Sequence, residues 1–462
     1  MLNQQPLFII PDSTDLTQNT VQLRLYSSEE ISAYRLAKDG SAINNAKWEI
    51  GSIFRITANG IYRVEAVTKS GEKIQKEFSI CFLGTRPSFS GGSGSASSPF
   101  LIETASQLNA MRSNLKAHYR LVSDIDLADT DWGIGWCPIG NLTFMADDLG
   151  IAVDHNQSFS GCLDGSGHTI KNVVEIFPKI ENVGFFGYLD GTVKDLTLSD
   201  IYMVGNHHIG GVAGSFHGLI MSTCVSGKIN GGNLMGGIVG EIIENAAGDT
   251  PVVVDRCEFE GNISGSNSRK GFQNEIGGIA AACSASDTTI SNCVVNAQLE
   301  DSGGIYGICG CTPARIINCL ARGRITTRQT LKESIVYGIG SAYSWDVNCE
   351  NPNWGVYGCV SAWSTIAFSS GKLEDLPYNF GPIGIPPQEV SLVSPNKNAF
   401  MYNLRVLLGD SPVFYQEKER FEKGICSLSK ALLLSMGWDL YTTWDMDENG
   451  WPKLRRIKST TM

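Results

Sequence analysis

The sequence predicts an all-β chain in which a right-handed parallel β-helix follows a small antiparallel β-sandwich. Gly contributes 51 of 462 residues and charged residues only 18%, which is typical of a β protein with many turns. A glycine-rich segment recurs six times between residues 183 and 341, and a second strand motif lies between its copies. No unit has room for a crossover helix, so the recurring strands are expected to stack in parallel.

Residues 1–85 are predicted to form a separate antiparallel sandwich. Apolar and polar residues alternate in VQLRLY from Val21, and two later alternating runs meet at Ser70-Gly71, as in a β-hairpin. The segment NGIYRVEAV is similar to the penultimate strand of an immunoglobulin-like domain, with Tyr62 in the place of the corner tyrosine. The resemblance implies an Ig-like sandwich without its disulfide, because the Cys…Trp…Cys spacing is absent.

A linker and an end cap are predicted next. Residues 86–98 are rich in Gly, Ser and Pro, which is typical of a linker. The segment TASQLNAMRSNL then has Thr104 as an N-cap residue and apolar residues at helical spacing. A solenoid needs such a cap, because its first coil otherwise exposes an unpaired strand edge. The β-helix is predicted over residues 99–365. Residues 366–462 are predicted to form a C-terminal cap or insertion with a helix in NAFMYNLRVLLG and strands at its end.

The glycine-rich segments are predicted to occupy equivalent positions in successive coils. They begin at Val183, Ile209, Met235, Ile276, Ile305 and Val336. Aligned on a shared glycine, the copies are separated by 27, 26, 41, 29 and 31 residues. Glycine permits tight corners and close packing between coils.

Five cysteines recur in an apolar context and are predicted to form a buried ladder: Cys224, Cys257, Cys293, Cys319 and Cys359. The total of 13 cysteines is odd, so they cannot all pair within one chain. A free cysteine packs as a small hydrophobic residue. A disulfide framework or a zinc site is the alternative, but the sequence contains no CxxC motif.

These units resemble the GLUG motif, a glycine-rich repeat of bacterial surface and adhesin-like proteins that is common in gut Bacteroidetes. Three further stretches are similar to the same family: GSGSASSPFLIETASQLNAM, DIDL…WCPIG…FSGCLDGSGHTI and MGWDLYTTWDMDENGWPKLR. The similarity covers residues 90–456, although residues 366–425 show no repeat. The resemblance implies an exposed, adhesion-type role and supplies no catalytic residues.

A dense group of aromatic residues near the end of the repeats is the predicted binding surface. Its members are Tyr337, Tyr343, Trp345, Trp354, Tyr357 and Trp363. Exposed rings stack on sugar faces or serve as hot spots in protein contacts. We expect at least one of the three tryptophans to be exposed to solvent. The alternative is that these rings pack in a cap or a corner.

Paired carboxylates keep an enzyme open as an alternative, because β-solenoids also carry polysaccharide lyases and glycoside hydrolases. Asp124 and Asp126 are two residues apart, so both side chains can leave a strand on the same side, as a glycosidase requires. Asp147 with Asp148, and Asp164, are the other candidates. The surrounding sequence favours turns and coil packing, and the prediction is therefore a protein without catalytic residues.

No metal or cofactor site is predicted. DMDENG from Asp445 is similar to a calcium loop, but Arg456 stands where that loop needs a bidentate carboxylate. His207 and His208 are adjacent and are expected to point to opposite faces of a strand, so with His217 they do not make a three-histidine site. The HExxH, GxSxG and P-loop motifs are absent.

The leading functional prediction is a surface-displayed adhesion or recognition protein of a gut bacterium, which binds a glycan or a protein. The net charge of −11 disfavours nucleic acid as a partner. The apolar run from Leu7 ends at Pro11, too early for a secretion signal, and no stretch is long enough for a membrane span. Two locations fit: the extracellular cell surface after removal of a leader, or the virion of a phage that infects such bacteria, as a fibre or decoration protein. The oligomeric state stays open.

Overall fold

A computed structural model of the chain describes residues 7–11, 19–27, 29–80, 83–84, 88–128, 135–140, 143–144, 158–178, 180–244, 251–265, 274–301, 303–310, 314–330, 335–340, 355–369, 380–381, 399–400, 405–408, 411–414 and 429–455. Strands dominate these ranges. The described helices are the α-helices Ala105–Ala110 and Lys430–Ser435 and the 3-10 helices Ile43–Ala46 and Met111–Ser113. None of them has the length and apolar character needed to cross a membrane.

The N-terminal unit consists of two antiparallel sheets. One sheet contains the strands Phe8–Pro11, Val21–Tyr26 and Ile53–Ile56, and the other contains Ile31–Lys38, Ser41–Ala42, Glu49–Ile50, Gly60–Thr68 and Lys73–Ile80. The predicted hairpin at Ser70-Gly71 is confirmed, because Val67 pairs with Lys73 across it. The ring of Phe54 contacts those of Tyr34 and Phe78, with centroids 5.3 and 6.2 Å apart, and so joins the two sheets.

Tyr62 makes the backbone contact expected of a corner tyrosine. Its hydroxyl donates a hydrogen bond to the carbonyl of Ala58 at 2.6 Å, and its ring stacks on Phe78. Burial raises the pKa of this hydroxyl, and the charge of Asp39 adds to the shift. The bond agrees with the predicted sandwich, while the Ig-like assignment itself stays a prediction.

The second half of the predicted linker belongs to the first coil of the solenoid. Phe89 stacks on Phe100 with ring centroids 4.4 Å apart, and the Gly94 carbonyl accepts a hydrogen bond from the backbone of His118. Gly92 and Gly94 have φ of +82° and +80°, and they fold this segment tightly over Pro99 and Phe100. Two glycines of the predicted linker therefore belong to a turn that packs on the first coil.

The described residues between 88 and 414 confirm the predicted right-handed parallel β-helix. Its first sheet contains Phe100–Ile102, His118–Leu121, Cys162–Asp164, Phe186–Lys194, Ala213–Met221, Val239–Ile242, Val252–Asp255, Ala280–Cys283, Thr288–Ser291, Ala314–Ile317 and Gly355–Tyr357. Its second sheet contains Ile125–Asp126, Thr143–Phe144, Thr169–Lys171, Val174–Ile176, Ile180–Val183, Thr197–Gly210, Cys224–Gly236, Glu258–Gly265, Glu275–Gly277, Val294–Asp301, Gly304–Tyr306, Leu320–Thr327, Ile335–Tyr337, Val360–Phe368, Phe380–Gly381, Ala399–Phe400, Arg405–Leu408 and Ser411–Phe414.

The solenoid continues beyond its predicted end at residue 365. Phe380–Gly381, Ala399–Phe400 and Arg405–Leu408 each pair in parallel with strands of the preceding coil. Arg405–Leu408 lies within the segment predicted as a helix, so that prediction is wrong. A neighbouring strand, Val360–Phe368, provides the backbone partners that extend it.

Side chains of successive coils stack in register along the interior. One column consists of Glu175, Met203, Ile229, Ile263, Leu299, Ile325 and Ile366. All of these side chains are buried. We call this set the axial column, and its outward neighbours on the same strands form the wall of the solenoid.

The N-terminal end is closed by the predicted helix. Thr104 and Gln107 form a capping box, and Leu108 is fully buried. Arg112 follows the helix, donates hydrogen bonds to Asn109 and to the carbonyl of Pro138, and stacks over a tryptophan ring. The buried Glu175 lies at the same end, where burial raises the pKa of its carboxyl well above the ordinary value, against the opposing charge of Arg112.

The glycine-rich segments occupy equivalent positions, as predicted, because their first residues pair in one continuous register from Val183 to Val336. A Cβ added to Gly237, Gly278 or Gly307 would overlap the carbonyl oxygen of the equivalent glycine in the next coil. Close approach of successive coils, more than backbone conformation, therefore requires glycine at this position.

The cysteine ladder is confirmed for Cys257, Cys293, Cys319 and Cys359, which are fully buried. It is wrong for Cys224, which is half-buried. Cys224 pairs with Glu258, so the ladder position of its coil belongs to the buried Thr223. Within the described ranges, no cysteine takes part in a disulfide bond.

Residues 429–455, here called the clasp, pack against the outer wall of the solenoid. The clasp contains the helix Lys430–Ser435 and the antiparallel strands Trp444–Met446 and Pro452–Leu454. Its side chains form an apolar cluster with residues of three successive coils: Val294, Leu320, Val360 and Ala362 with Leu433, Met436, Trp438 and Trp444. The predicted terminal strands thus exist, and they cover the side of the solenoid.

Candidate binding surface

The predicted aromatic surface is wrong for two of its members. Trp363 is 2% exposed and donates its indole N–H to the carbonyl of Gly338 at 2.8 Å, and Tyr337 is 5% exposed. Trp363 pairs with Gly323, and the strand register shifts just after this pair. This bulge accompanies a tryptophan at a position where the preceding coil has a glycine. Tyr357 is half-buried, and Tyr343, Trp345 and Trp354 lie outside the described residues.

The candidate carboxylates brace neighbouring coils. Asp124 accepts hydrogen bonds from the backbone of Thr169 and the ring of His168, and Asp126 accepts one from Asn172. The Thr169 bond lowers the pKa of Asp124, and the Asn172 bond lowers that of Asp126. A carboxyl with a lowered pKa is a poor general acid.

Asp164 lies between two cations from adjacent coils, at 3.4 Å from Arg120 and 3.1 Å from Lys194. Burial raises its pKa, but bonds from Lys194 and Ser166 outweigh burial, and the net pKa is lowered. This arrangement is an ion pair across three coils. Asp147 and Asp148 lie outside the described residues.

The loop at Asp445 forms a turn between the two clasp strands. The carboxylate of Asp447 accepts backbone hydrogen bonds from Asn449 and Trp451, and Asp445 lies 3.7 Å from Arg455. These groups therefore already have partners within the clasp. Within the described ranges, no group of three or more His, Cys, Asp or Glu side chains is arranged to hold a metal ion.

The two adjacent histidines contact each other, contrary to the expectation that they face opposite sides. Their rings meet edge to face with centroids 4.0 Å apart, because His208 has a left-handed backbone with φ of 49°. The Nε2 of His208 lies 3.0 Å from Glu241, and that of His207 lies 3.0 Å from Asn233. His217 is elsewhere, at 3.0 Å from Asp190.

Burial lowers the pKa of His207 to about 3, and the charge of His208 adds to this shift. Glu181 pairs with His207 in the preceding coil, and burial raises the pKa of its carboxyl while His208 opposes the change. The Nδ1 atoms of both histidines are buried without a hydrogen-bond partner among the described atoms. The site therefore favours neutral His207 and contributes to stability in a pH-dependent way.

A row of exposed side chains crosses the second sheet. Its residues are not among the binding residues predicted from the sequence. The row consists of Val174, Tyr202, Lys228, Asn262, Gln298 and Arg324. All six are exposed. We call this set the outer row. Strands in a sheet are spaced at about 4.8 Å, so the five steps of the row span about 24 Å.

The outer row faces solvent because each member from Tyr202 onward immediately precedes a residue of the axial column. Alternation along the strand sends these neighbours to opposite faces. In three coils the pattern reads Gly-x-Ile, with Lys228, Asn262 and Arg324 in the middle position. The residue between Gly and Ile in this repeat is therefore the feature of the sequence that could have identified the outer row.

The polar groups of the outer row are available to a ligand. Among the described residues, the side chains of Tyr202, Lys228, Asn262, Gln298 and Arg324 make no hydrogen bond or ion pair with one another or with the rest of the protein. They combine a ring, two amides and two cations. Such a set can stack on an apolar face and bind hydroxyl or anionic groups.

Neighbouring polar side chains on the same sheet are engaged within the protein. Asn296 donates to Glu260 at 3.3 Å, and Arg328 pairs with Glu300 at 3.0 Å. Arg322 lies over the ring of Trp451 in the clasp. Within the described ranges, the outer row differs in this respect from Asn296, Arg322 and Arg328.

No protein-family model matches the chain. Over 161 residues it is 34% identical to halomucin of Haloquadratum walsbyi, and the aligned region covers 33% of this chain and 2% of halomucin. Over 197 residues it is 29% identical to a protein of Evansella cellulosilytica described as a Gly-rich membrane protein, and the aligned region covers 34% of this chain and 21% of that protein. The chain therefore spans at most about a fifth of these curated relatives.

Among solved structures, the chain is similar to an IgA1 protease, with a TM-score of 0.54 and 14% sequence identity over 98% of this chain and 31% of that one. A family 28 exopolygalacturonase of Yersinia enterocolitica superimposes with a TM-score of 0.18, which is too low to relate the two structures. At this identity, the first similarity concerns the fold alone. The parallel β-helix is thus shared with a solved protein.

Proposed function

We propose that the chain is a non-catalytic surface protein that recognises an extended glycan along the outer row. The observation that carries this proposal is the row itself, in which exposed polar side chains stand in register over about 24 Å and have no partners in the described part of the chain. A ligand that matches a long, regular row is itself long and regular. A polysaccharide strand lying along the solenoid axis meets this requirement.

The apolar end of the row supports a glycan ligand. Tyr202 is 38% exposed and pairs with Val174, which is 37% exposed, and Ile176 beside them is 38% exposed. Aromatic rings with neighbouring apolar surface stack on the C–H faces of sugars. The amides of Asn262 and Gln298 then offer both donors and acceptors to sugar hydroxyls.

A surface location is supported by the two curated relatives, one described as halomucin and the other as a membrane protein. A role without catalysis is supported by the candidate carboxylates. Asp124, Asp126 and Asp164 all bind groups of adjacent coils, and their pKa values are lowered. None of the three is poised as a general acid.

The proposal is tested by binding of the full chain to a panel of bacterial and host polysaccharides. Tyr202→Ala is expected to weaken binding about tenfold, whereas Tyr202→Phe, which keeps the ring, is expected to bind within about twofold of the wild type. Tyr441→Ala is the matched control, because Tyr441 is 80% exposed and belongs to the clasp, not to the row.

Two results contradict the proposal. One is binding that is unaffected by Tyr202→Ala, because the recognition surface then lies elsewhere. The other is the release of reducing ends or unsaturated products from the bound polymer, because the protein is then a hydrolase or a lyase. Unchanged binding by Tyr441→Ala is required for the effect of Tyr202 to be specific.

A further inference from the structure

We infer that the glycan recognised by the outer row is anionic and that its carboxylate or sulfate groups bind Lys228 and Arg324. This inference rests on the function proposed above and adds the chemical class of the ligand. It is carried by the fact that the charged members of the row are both cations and that neither has a partner among the described residues.

Lys228 and Arg324 differ in availability from two other arginines of the same sheet. Arg328 pairs with Glu300, and Arg322 is held over Trp451. Lys228 and Arg324 are exposed, and no described carboxylate lies within ion-pair distance of either. An exposed cation with no internal counter-ion keeps its full charge for a ligand, and an arginine can bind a carboxylate or sulfate through two parallel hydrogen bonds.

Negative groups on the same face limit where an anion can lie. Asp200 is exposed on the bulge beside Tyr202, and Glu260 is exposed next to Asn262 on the same strand. They disfavour an anion at the Tyr202 end and at the middle of the row. The favourable positions are therefore at Lys228 and Arg324, with uncharged sugar over Tyr202 and over the amides between the cations.

The spacing of the two cations sets the pattern of the ligand. Lys228 and Arg324 are separated by three strand steps, or about 14 Å. The positions between them are the neutral Asn262 and Gln298. A polymer whose charged sugars are separated by uncharged ones fits this pattern better than one with a charge on every sugar. Because the overall charge is −11, attraction depends on these local cations and is screened over about 8 Å at physiological salt.

The test measures binding of the full chain to hyaluronan, which carries a carboxylate on alternate sugars, and to carboxyl-reduced hyaluronan as its uncharged match. Dextran sulfate and dextran form the corresponding sulfate pair. Lys228→Ala and Arg324→Ala are each expected to weaken binding to the anionic polymer by about twofold to fivefold, and the double variant by about tenfold. Arg315→Ala is the matched control, because Arg315 is exposed on the first sheet.

The expected result is binding to at least one anionic polymer that weakens with added salt and falls at least about tenfold when its charge is removed. The hyaluronan and dextran sulfate pairs distinguish a carboxylate from a sulfate ligand. Equal binding of charged and uncharged polymers, or no binding to any anionic polymer, overturns the inference. If an uncharged polymer binds in a Tyr202-dependent manner, the proposed glycan recognition stands and its anionic character is wrong. If no polymer shows Tyr202-dependent binding, both fail.

Discussion

Buried thiols link successive coils through their backbone as well as through packing. The backbone N–H of Cys293 donates to the sulfur of Cys319 at 3.4 Å, and that of Cys319 donates to the sulfur of Cys359 at 3.3 Å. Burial raises the pKa of the Cys257, Cys293 and Cys319 thiols well above the ordinary value. These thiols are therefore protonated, shielded and unreactive in the folded state.

Cys293→Ser is expected to lower the free energy of unfolding by about 1–3 kcal/mol, because the more polar hydroxyl is desolvated in an apolar column. Chemical denaturation measures this change. Cys224→Ser, at a half-buried position, serves as the control and is expected to be nearly neutral. In the native protein, thiol reagents should label Cys162 and Cys224 before any ladder cysteine. Rapid native labelling of Cys293 would contradict the ladder.

His207 makes stability depend on pH. The unfolded chain binds a proton at this residue near pH 6.5, but the folded chain does so only near pH 3. Between these values the unfolded state holds more protons, so the free energy of unfolding falls as the pH falls, by up to about 1.4 kcal/mol per pH unit. The contribution of His207 to the free energy of unfolding is fully present above pH 6.5.

His207→Gln is expected to reduce this slope, because glutamine keeps a hydrogen-bond acceptor for Asn233 and does not titrate. Urea denaturation between pH 4 and pH 7 gives the slopes of the two proteins. His118→Gln, which removes a half-buried histidine from a strand of the first sheet, is the control for the loss of a histidine elsewhere in the solenoid. The account of His207 is wrong if His207→Gln and the wild type show the same dependence on pH.

The clasp forms hydrogen bonds with residues at corners of three successive coils of the solenoid. Trp444 donates to the side chain of Asn292, the side chain of Asn318 donates to the carbonyl of Gly437, and Trp438 donates to the carbonyl of Gly358. Each of these corner residues has positive φ and precedes a ladder cysteine. The clasp therefore contacts the residue at the same left-handed corner position in three coils.

Trp444→Ala is expected to destabilise the clasp and the coils beneath it by about 3–5 kcal/mol, because a fully buried indole is removed. Hydrogen exchange should accelerate in Leu320–Thr327 and remain unchanged in Phe186–Lys194. Tyr441→Ala, which changes an exposed ring of the same element, should leave both segments protected. Faster exchange confined to residues 429–455 would show that the coils do not depend on the clasp.

The repeated strands were predictable from the sequence, because each coil places the same residue types at the same depth. The glycine-rich segments recur at one position because a Cβ at Gly237 or Gly278 would overlap a carbonyl oxygen of the next coil, so only glycine fits there. Alignment of the cysteines by residue type assigns Cys224 to the ladder, although it lies one residue beyond the ladder position of its coil. Alignment on Gly227 and Gly261, which pair, places Thr223 opposite Cys257.

Features that depend on local backbone geometry or on distant contacts were not predictable in this way. A register shift accompanies the burial of Trp363, and a left-handed residue brings His207 onto His208. The clasp is separated by more than 100 residues from the coil that contains Asn292. The outer row has a different residue in each coil, so composition alone did not mark it as a surface.

As a whole, the molecule presents a regular wall of strands whose interior is filled by columns of apolar side chains and whose side is partly covered by the clasp. The clasp covers the wall at Val294, Leu320 and Val360, where the outward residues are apolar. The outer row stays exposed on the same sheet. The clasp therefore leaves uncovered the surface that we propose binds a long ligand.

Side-chain footprinting of the full chain, with and without a bound polysaccharide from the panel, tests the central claim most directly. Carbene labelling followed by peptide mapping reports which side chains the ligand shields. Protection is predicted at Tyr202, Lys228, Asn262, Gln298 and Arg324, with no change at Arg315 on the first sheet or at Tyr441 in the clasp. Protection of the first sheet or the clasp, with the outer row still labelled as in the free protein, would contradict it.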